Sequence, residues 1–225
     1  MIERLDVRKA LTGWAVIGFV VVALISGPTP AAATSGDRVA ASASSRAPRW
    51  PAPSPDRVVE LATAAGLVPE TAESLQYHVH AHLDVFVNGR HQTVPAGIGI
   101  VTTDPSVHKG TIDGQPAYGG ITVPCAQPCI SPLHTHDVTG ILHTESPTRV
   151  ENTLGQFFTE WDVPLTPQCV ATFCSPKTRI AVYVNGRRQP FAEAAQIPLS
   201  DHKEIALVIG RPPSHIPRTA DFSQG

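Results

Sequence analysis

The sequence has few charged residues, and neither sign predominates. Only 16% of its 225 residues are Asp, Glu, Lys or Arg, with 17 basic residues against 19 acidic ones. Such a chain lacks the strong positive field that attracts nucleic acids, so we predict no nucleic-acid partner. Met occurs once, at position 1. Its scarcity argues against the thioether sites that select Cu(I) and against a blue-copper site with an axial Met.

Apolar residues, Pro and Gly are by contrast plentiful. The chain is 42% apolar and contains 22 Pro and 17 Gly. This composition is sufficient for a sizeable core and is typical of loop-rich proteins that contain β-structure. We therefore predict an α+β fold with antiparallel and mixed β-sheets, Asn-Gly hairpins and one or two short helices.

An apolar segment near the amino terminus predicts export. Residues 11–27 carry no charge, follow three basic residues and precede a run rich in Pro and Ala. Basic residues ahead of such a segment keep the amino terminus inside the cell and place the remaining chain outside the cytoplasm. Two forms stay open for residues 1–33. They are either a signal peptide cleaved near Ala33, giving a secreted protein, or a single membrane anchor in which residues 11–27 span the bilayer.

Changes in composition divide the exported part. Residues 34–53 are mainly Ala, Ser, Pro and Arg, which predicts a disordered linker. We predict an N-terminal lobe over residues 54–124, a second lobe over 125–217 and a tail over 218–225. The predicted order of the second lobe, a hairpin, a helix and three more strands, resembles the β-grasp fold. A resemblance of this kind implies no function.

Two hairpin signals accompany the predicted strands. Apolar and polar residues alternate from position 78 to 87, which predicts a strand, and Asn88-Gly89 then favours a type I′ turn. A similar octapeptide contains Asn185-Gly186. The other predicted elements are a short helix from Pro55, strands near 98–101 and 121–123, strands over 140–145 and 148–151, a helix over 153–161, and strands over 179–184, 187–191 and 204–209.

The cysteines of an exported chain predict disulfides. Four cysteines allow three connectivities, and the sequence does not choose among them, although pairing of neighbours is the simplest. An alternative is a zinc site, because two of the cysteines and two histidines have the spacing C-x3-C-x4-H-x-H. The cysteines are Cys125, Cys129, Cys169 and Cys174, and the histidines of the alternative site are His134 and His136.

Six histidines in two short segments indicate metal chemistry. In a strand, residues i and i+2 share a face about 7 Å apart, from which two imidazoles can bind one ion. His78 and His82 would lie about 13 Å apart, so we expect one ion to take two of the first three histidines. The first segment contains His78, His80 and His82, and the second contains His134, His136 and His143.

We predict that the two segments meet around a transition-metal ion. Imidazole and carboxylate ligands suit Zn(II) or Cu(II), and Zn(II) is our first choice. Carboxylates beside the ligands can accept the second ring N–H and fix the tautomer. The predicted ligands are His80, His82, His134, His136 and His143, and the residues predicted to lie beside them are His78, Asp84, Asp137 and Glu145.

Three functions follow from this reading. The preferred one is a non-catalytic exported domain that binds the metal ion. The second is a metal-dependent hydrolase or lyase in which three histidines hold the ion and Glu145 or Asp137 acts as a general base. The third is a metal-free structural or interaction module of the cell envelope. The sequence names no protein partner.

Several motifs together resemble an uncharacterised family of exported bacterial and archaeal domains. They are H-x-H-x-H-L from His78, H-T-H-D from His134, G-I-L-H-T-E-S from Gly140 and L-G-Q-F-F from Leu154. The resemblance covers roughly residues 76–212 and implies no activity. The first motif alone is also similar to the histidine-triad nucleotide hydrolases, but Asp84 stands where that family has an apolar residue.

Overall fold

The computed structural model describes residues 49–223 of the chain. The predicted signal or anchor over residues 1–33 and most of the predicted linker lie outside the described residues. Within residues 49–223, no helix is both long enough and apolar enough to cross a membrane.

The described residues form short helices and mostly short strands. The α-helices are α1 (Val58–Ala64) and α2 (Leu154–Glu160), and short 3-10 helices cover Pro55–Arg57 and Phe191–Gln196. The first six strands are β1 (Tyr77–Val87), β2 (Arg90–Gln92), β3 (His108–Ile112), β4 (Gln115–Gly119), β5 (Leu133–His134) and β6 (Ile141–Ser146). The remaining strands are β7 (Cys169–Val170), β8 (Phe173–Cys174), β9 (Ile180–Val184), β10 (Arg187–Gln189) and β11 (Lys203–Ile209).

One mixed sheet organises the fold. Its strand order is β10-β9-β11-β1-β6-β5, and β2 pairs with β1 beside this path. Strand β1 is parallel to β11 and antiparallel to β2 and β6. The α+β prediction is confirmed. The sheet takes strands from both predicted lobes. The hairpin predicted over 140–151 does not form, because β6 pairs with β1 and β5.

Both Asn-Gly sequences form hairpin turns. Asn88 and Gly89 have φ values of 52° and 80°, and Asn185 and Gly186 have values of 49° and 74°. Two consecutive residues with positive φ are typical of the type I′ turn, whose twist matches that of the flanking strands. The predicted hairpins at these two positions are confirmed.

The segment between β2 and β6 differs from the prediction. The strands expected near 98–101 and 121–123 are turns and irregular chain, apart from a single bridge at Ile100. The hairpin in this segment is β3–β4, whose turn is Asp113-Gly114 with φ values of 50° and 75°. The expected strand over 148–151 is also absent from the described structure, because this stretch leads directly into the cap of α2.

The main core lies between one face of the sheet and α2. Alternate residues of β1, including Leu83 and Val85, are fully buried there together with Phe157 of α2 and with Trp161, which caps the end of α2. Helix α2, predicted over 153–161, is capped by Thr153, whose side chain forms a capping box with Gln156. Because successive strand side chains point to opposite faces, burying one set of β1 residues places the histidines of β1 on the other face.

Two disulfides join neighbouring cysteines. Cys125 pairs with Cys129, and Cys169 pairs with Cys174. The first disulfide belongs to a small second core under the segment that links β2 to β6. Because both sulfurs of the first pair are bonded, the alternative zinc site with two cysteines is ruled out. The two disulfides suggest an oxidising, extracytoplasmic environment.

The buried carboxyl group of Glu160, in α2, should make the stability of the protein depend on pH. Glu160 is 1% exposed, and neither of its oxygens has a hydrogen-bond partner. Burial raises the pKa of this carboxyl well above its ordinary value, so the folded state holds a proton that the unfolded state releases. The contribution of this proton to the free energy of unfolding is complete below the ordinary carboxyl pKa. It is lost as the pH rises towards the raised pKa of Glu160 in the folded protein.

We expect Glu160→Gln to remove this pH-dependent loss of stability, because Gln does not ionise. The free energy of unfolding of wild type relative to the variant should fall between pH 5 and 8, by up to about 1.4 kcal/mol per pH unit. Urea unfolding of the full chain at several pH values measures it. The exposed Glu193→Gln is the control and should leave the wild-type profile unchanged. A constant difference between wild type and Glu160→Gln would contradict the prediction.

Candidate metal centre

Strand pairing brings the two histidine segments together. His80 of β1 lies directly opposite His143 of β6, and His143 lies opposite His134 of β5. His78 lies opposite Glu145. The β-carbons of directly opposite residues are about 4.5–5.5 Å apart, so a row of imidazoles crosses three strands on the face away from α2. The predicted meeting of the two segments therefore follows from the register of the sheet.

Four residues form a compact group, which we call the inner group: His134, His136, His143 and Glu145. Each offers one ligand atom, and these four atoms lie within 4.8 Å of one another. The side chains of three members are at most 6% exposed, and that of His136 is 24% exposed. The inner group is thus a buried His/Glu cluster that could hold a metal ion.

Backbone carbonyls set the tautomers of two inner imidazoles. The Nδ1–H of His134 donates to the carbonyl oxygen of Ser131 at 2.8 Å. The Nδ1–H of His136 donates to the carbonyl oxygen of Tyr118 at 2.5 Å. Because a carbonyl oxygen can only accept, both Nε2 atoms keep a lone pair in the neutral rings. The same arrangement orients imidazoles that bind metal ions in proteins.

The spacing of the free nitrogens fits a shared ion. The two Nε2 atoms of His134 and His136 are 3.2 Å apart. Two ligands of a tetrahedral ion with bonds of 2.0–2.1 Å lie about 3.3 Å apart. Two lone pairs at this distance repel each other unless a cation lies between them.

Glu145 faces the inner imidazoles with one oxygen. Its Oε1 atom is 3.7 Å from Nε2 of His134 and 3.8 Å from Nε2 of His136. It is 3.6 Å from Nδ1 of His143. Its other oxygen, Oε2, and the Nδ1 atom of His143 are buried without a hydrogen-bond partner. Buried polar atoms rarely lack a partner, and both of these atoms are of a type that binds metal ions.

Most protonation states in the cluster suit metal binding. The exception is His136: burial opposes its protonation, but Glu145 and the Tyr118 carbonyl outweigh burial and raise its pKa, so an ion would have to displace a proton from this ring more often than from the others. Burial, with a contribution from His136, lowers the pKa of His134 to about 3. Burial, with contributions from His143 and His78, lowers the pKa of His80 to about 4. Although burial opposes its ionisation, the surrounding imidazoles, chiefly His136 and His143, hold the pKa of Glu145 below its usual range. Neutral imidazoles and an ionised carboxylate are the forms that bind metal ions.

A second group adjoins the first, and we call it the outer group: His78, His80 and His143. The Nε2 atoms of His78 and His80 are 2.7 Å apart, and Nε2 of His78 is 3.3 Å from Oε1 of Glu145. His143 belongs to both groups. The side chain of His78 is 32% exposed, so the outer group reaches solvent.

The structure does not bring His82 into this cluster. Its Nδ1 atom is 2.6 Å from Oε2 of Glu204, and its Nε2–H donates to the carbonyl oxygen of Thr139 at 2.8 Å. His82, Asp84 and Glu204 also offer ligand atoms within 4.8 Å of one another. Both ring nitrogens of His82 are nevertheless occupied by hydrogen bonds. The cause is its place on β1, where its neighbour on β11 is Glu204.

The two aspartates that we expected beside the ligands lie elsewhere. Asp84 contacts His91, with an Oδ1–Nε2 distance of 2.9 Å. Asp137 accepts hydrogen bonds from the backbone and hydroxyl of Thr139 and so shapes the loop before β6. Backbone carbonyls take the role that we assigned to these carboxylates. Sequence reasoning misses them because every residue has a carbonyl.

Gly119 allows the end of β4 to pack closely against the ring of His136. Gly119 has a φ of 138°, and a β-carbon at this position would lie 2.1 Å from Nδ1 of His136. The backbone of the neighbouring Tyr118 also donates to the carbonyl oxygen of His136 at 2.9 Å. The end of β4 thus holds His136 by close contact with its ring and its backbone.

Comparison with protein-family models, with curated proteins and with solved structures finds no match to this chain. The class of the protein therefore rests on its fold and its site. It is an α+β domain with two disulfides and a buried His/Glu cluster that could hold a metal ion.

The contact between His82 and Glu204 generates a prediction. The side chain of Glu204 is 1% exposed, and His82 is its close partner. We expect His82→Ala to lower the free energy of unfolding by about 2–3 kcal/mol, because it leaves a buried carboxyl without its hydrogen bond. Urea unfolding of the full chain measures the loss.

The matched control is His91→Ala. The side chain of His91 is 50% exposed and also contacts a carboxylate, that of Asp84. Its loss should cost less than about 1 kcal/mol. If the two substitutions lowered the free energy of unfolding equally, the prediction that the buried contact with Glu204 is the more stabilising one would be wrong.

Proposed function

We propose that this protein is an exported, non-catalytic domain that binds a transition-metal ion through His134, His136, His143 and Glu145. The observation that carries the proposal is the pair of Nε2 atoms of His134 and His136, which are 3.2 Å apart and free of backbone hydrogen bonds. Both rings have the other nitrogen tied to a carbonyl, so they are oriented before an ion arrives.

The donor set supports Zn(II) first and Cu(II) second. Three imidazoles and one carboxylate match the ligands and the coordination number that Zn(II) takes in proteins. The same ligands also suit Cu(II). The chemistry of an imidazole-rich site does not distinguish these two ions, so the choice is made by measured affinity.

The surroundings of the cluster favour binding over catalysis. The cleft beside His134 and Glu145 has a volume of about 150 Å³, which is small for an organic substrate. Three larger surface grooves, of about 590 to 660 Å³, are lined by residues outside the cluster. Glu145, which the hydrolase hypothesis would use as a base, lies within 3.8 Å of four imidazole nitrogens and is placed as a ligand.

The location in the proposal is extracytoplasmic. The disulfides and the apolar segment 11–27 support it, and the segment would attach the domain to the membrane if it stays uncleaved. The partner that we propose is the metal ion itself. Sensing, storage, delivery and structural bracing are all compatible with a closed set of four ligands.

Removal of one inner ligand should abolish tight binding. We expect His136→Ala to lower the Zn(II) affinity of the full chain at least 100-fold, because a vacated position in a four-ligand site loses a direct bond. Competition with a chelator of known affinity measures the change.

Two histidine variants serve as controls. His82→Ala and the exposed His91→Ala should keep the wild-type affinity, since both ring nitrogens of His82 are hydrogen-bonded elsewhere and His91 contacts Asp84, outside the inner group. If the wild-type chain binds less than a tenth of an equivalent of Zn(II) or Cu(II), the proposed function is wrong.

The close contact at Gly119 generates a second prediction. A β-carbon there would overlap the His136 ring, so we expect Gly119→Ala to displace this ligand and lower Zn(II) affinity about 10- to 100-fold. Gly110→Ala on the same hairpin is the control, because a β-carbon at that position meets nothing within 4 Å.

A double substitution separates displacement of the ligand from damage to the fold. In the His136→Ala background, Gly119→Ala should cause no further loss of Zn(II) affinity, because the displaced ring is already absent. A further loss of tenfold or more would contradict an effect through His136.

A further inference from the structure

We propose that the cluster holds two metal ions, the second one bound by His78 and His80 of the outer group. Glu145 then faces both ions and forms the link between them, and His143 lies between the two positions. This inference rests on the proposed function of the inner group and extends it from a mononuclear to a dinuclear centre.

The number of donors exceeds what one ion uses. The cluster contains five imidazoles and one carboxylate, whereas a tetrahedral Zn(II) ion takes four ligands. The inner group supplies these four. His78 and His80 remain, and their Nε2 atoms are 2.7 Å apart, a distance at which one ring donates a hydrogen bond to the other while no ion lies between them. Adjacent histidines on one strand face are the natural pair for a further ion, as their spacing along β1 indicates.

Glu145 is placed to bridge the two positions. Its Oε1 atom is 3.3 Å from Nε2 of His78 on the outer side and 3.7 Å from Nε2 of His134 on the inner side. Both values are close to the distance of about 3.3 Å between two ligands of one ion. In two-metal sites the ions lie about 3.5–4 Å apart. The second oxygen, Oε2, is buried and has no hydrogen-bond partner.

His143 occupies the centre of the cluster. Its ring centroid is 4.5 Å from that of His80 and 4.3 Å from that of His136, with both neighbours nearly perpendicular to it. An imidazole has a nitrogen on each of two edges, and the Nδ1 atom of His143 has no hydrogen-bond partner. This ring therefore lies within reach of both positions, and as a neutral imidazole it binds one of the two ions.

The two bound ions should differ in how readily they exchange with the solution. The inner group is almost entirely buried, whereas His78 is 32% exposed and the backbone N–H of His80 donates to the carboxylate of Asp201 at 3.4 Å. The outer ion thus lies towards solvent and near an additional negative charge, and water completes its coordination. We expect a chelator to remove the outer ion first.

The stoichiometry of Zn(II) binding provides the first test. The full chain, freed of metal, should bind two equivalents of Zn(II) in equilibrium dialysis, and the His78→Ala/His80→Ala variant should bind one. The His108→Ala/His215→Ala variant removes two exposed histidines outside the cluster and should still bind two. A double variant that binds two equivalents would overturn the inference.

Cu(II) provides the second test, because it reports the distance between the ions. Two Cu(II) ions that share a carboxylate couple magnetically, so the two-equivalent sample should lose ordinary EPR intensity and gain a half-field transition. The His78→Ala/His80→Ala variant with one equivalent should give the full signal of an isolated ion. Two isolated signals in the wild type would overturn the shared centre.

The outcomes distinguish this inference from the proposed function. Saturation of the wild type at one equivalent, with loss of that equivalent in His136→Ala, would overturn the second ion and leave the inner site standing. Failure of the wild-type chain to bind either metal would overturn both proposals.

Discussion

The pairing of β1 with β6 is the constraint on which the site depends. It places His80 opposite His143 and His78 opposite Glu145, while Leu142 lies opposite Ala81 on the face that packs against α2. A shift of one residue would turn imidazoles into the apolar core and Leu or Ala side chains into the cluster. Burial of the apolar face therefore fixes the register, and the register fixes which ligands meet.

The segment between β2 and β6 supplies the remaining parts of the candidate metal site. It has little regular structure, and its order comes from a small apolar core, the Cys125–Cys129 disulfide and close backbone contacts. It supplies His136 and the carbonyls that orient the inner imidazoles. Burying several imidazoles beside one carboxylate is costly because each loses hydration. A bound cation would offset this cost, which connects the stability of this segment to the metal.

Much of the regular structure could be predicted from local patterns. The alternation in β1, the Asn-Gly turns and the capping box of α2 each depend on residues close together in the sequence. The β3–β4 hairpin was missed although its turn is Asp113-Gly114, because β3 is exposed throughout and neither strand has an apolar alternation. The hairpin predicted over 140–151 was wrong because the partners of a strand depend on the whole sheet, and β6 pairs with β1 and β5.

The sequence by itself determined which side chains share a face of β1, and that histidines from two segments were the candidate ligands. Only the tertiary structure decided their grouping. It directed His82 to Glu204, moved His78 from a supporting place into the outer group and put Glu145 among the ligands. Periodicity is local and is written in consecutive residues, whereas the neighbours of each histidine come from strands up to 122 positions away.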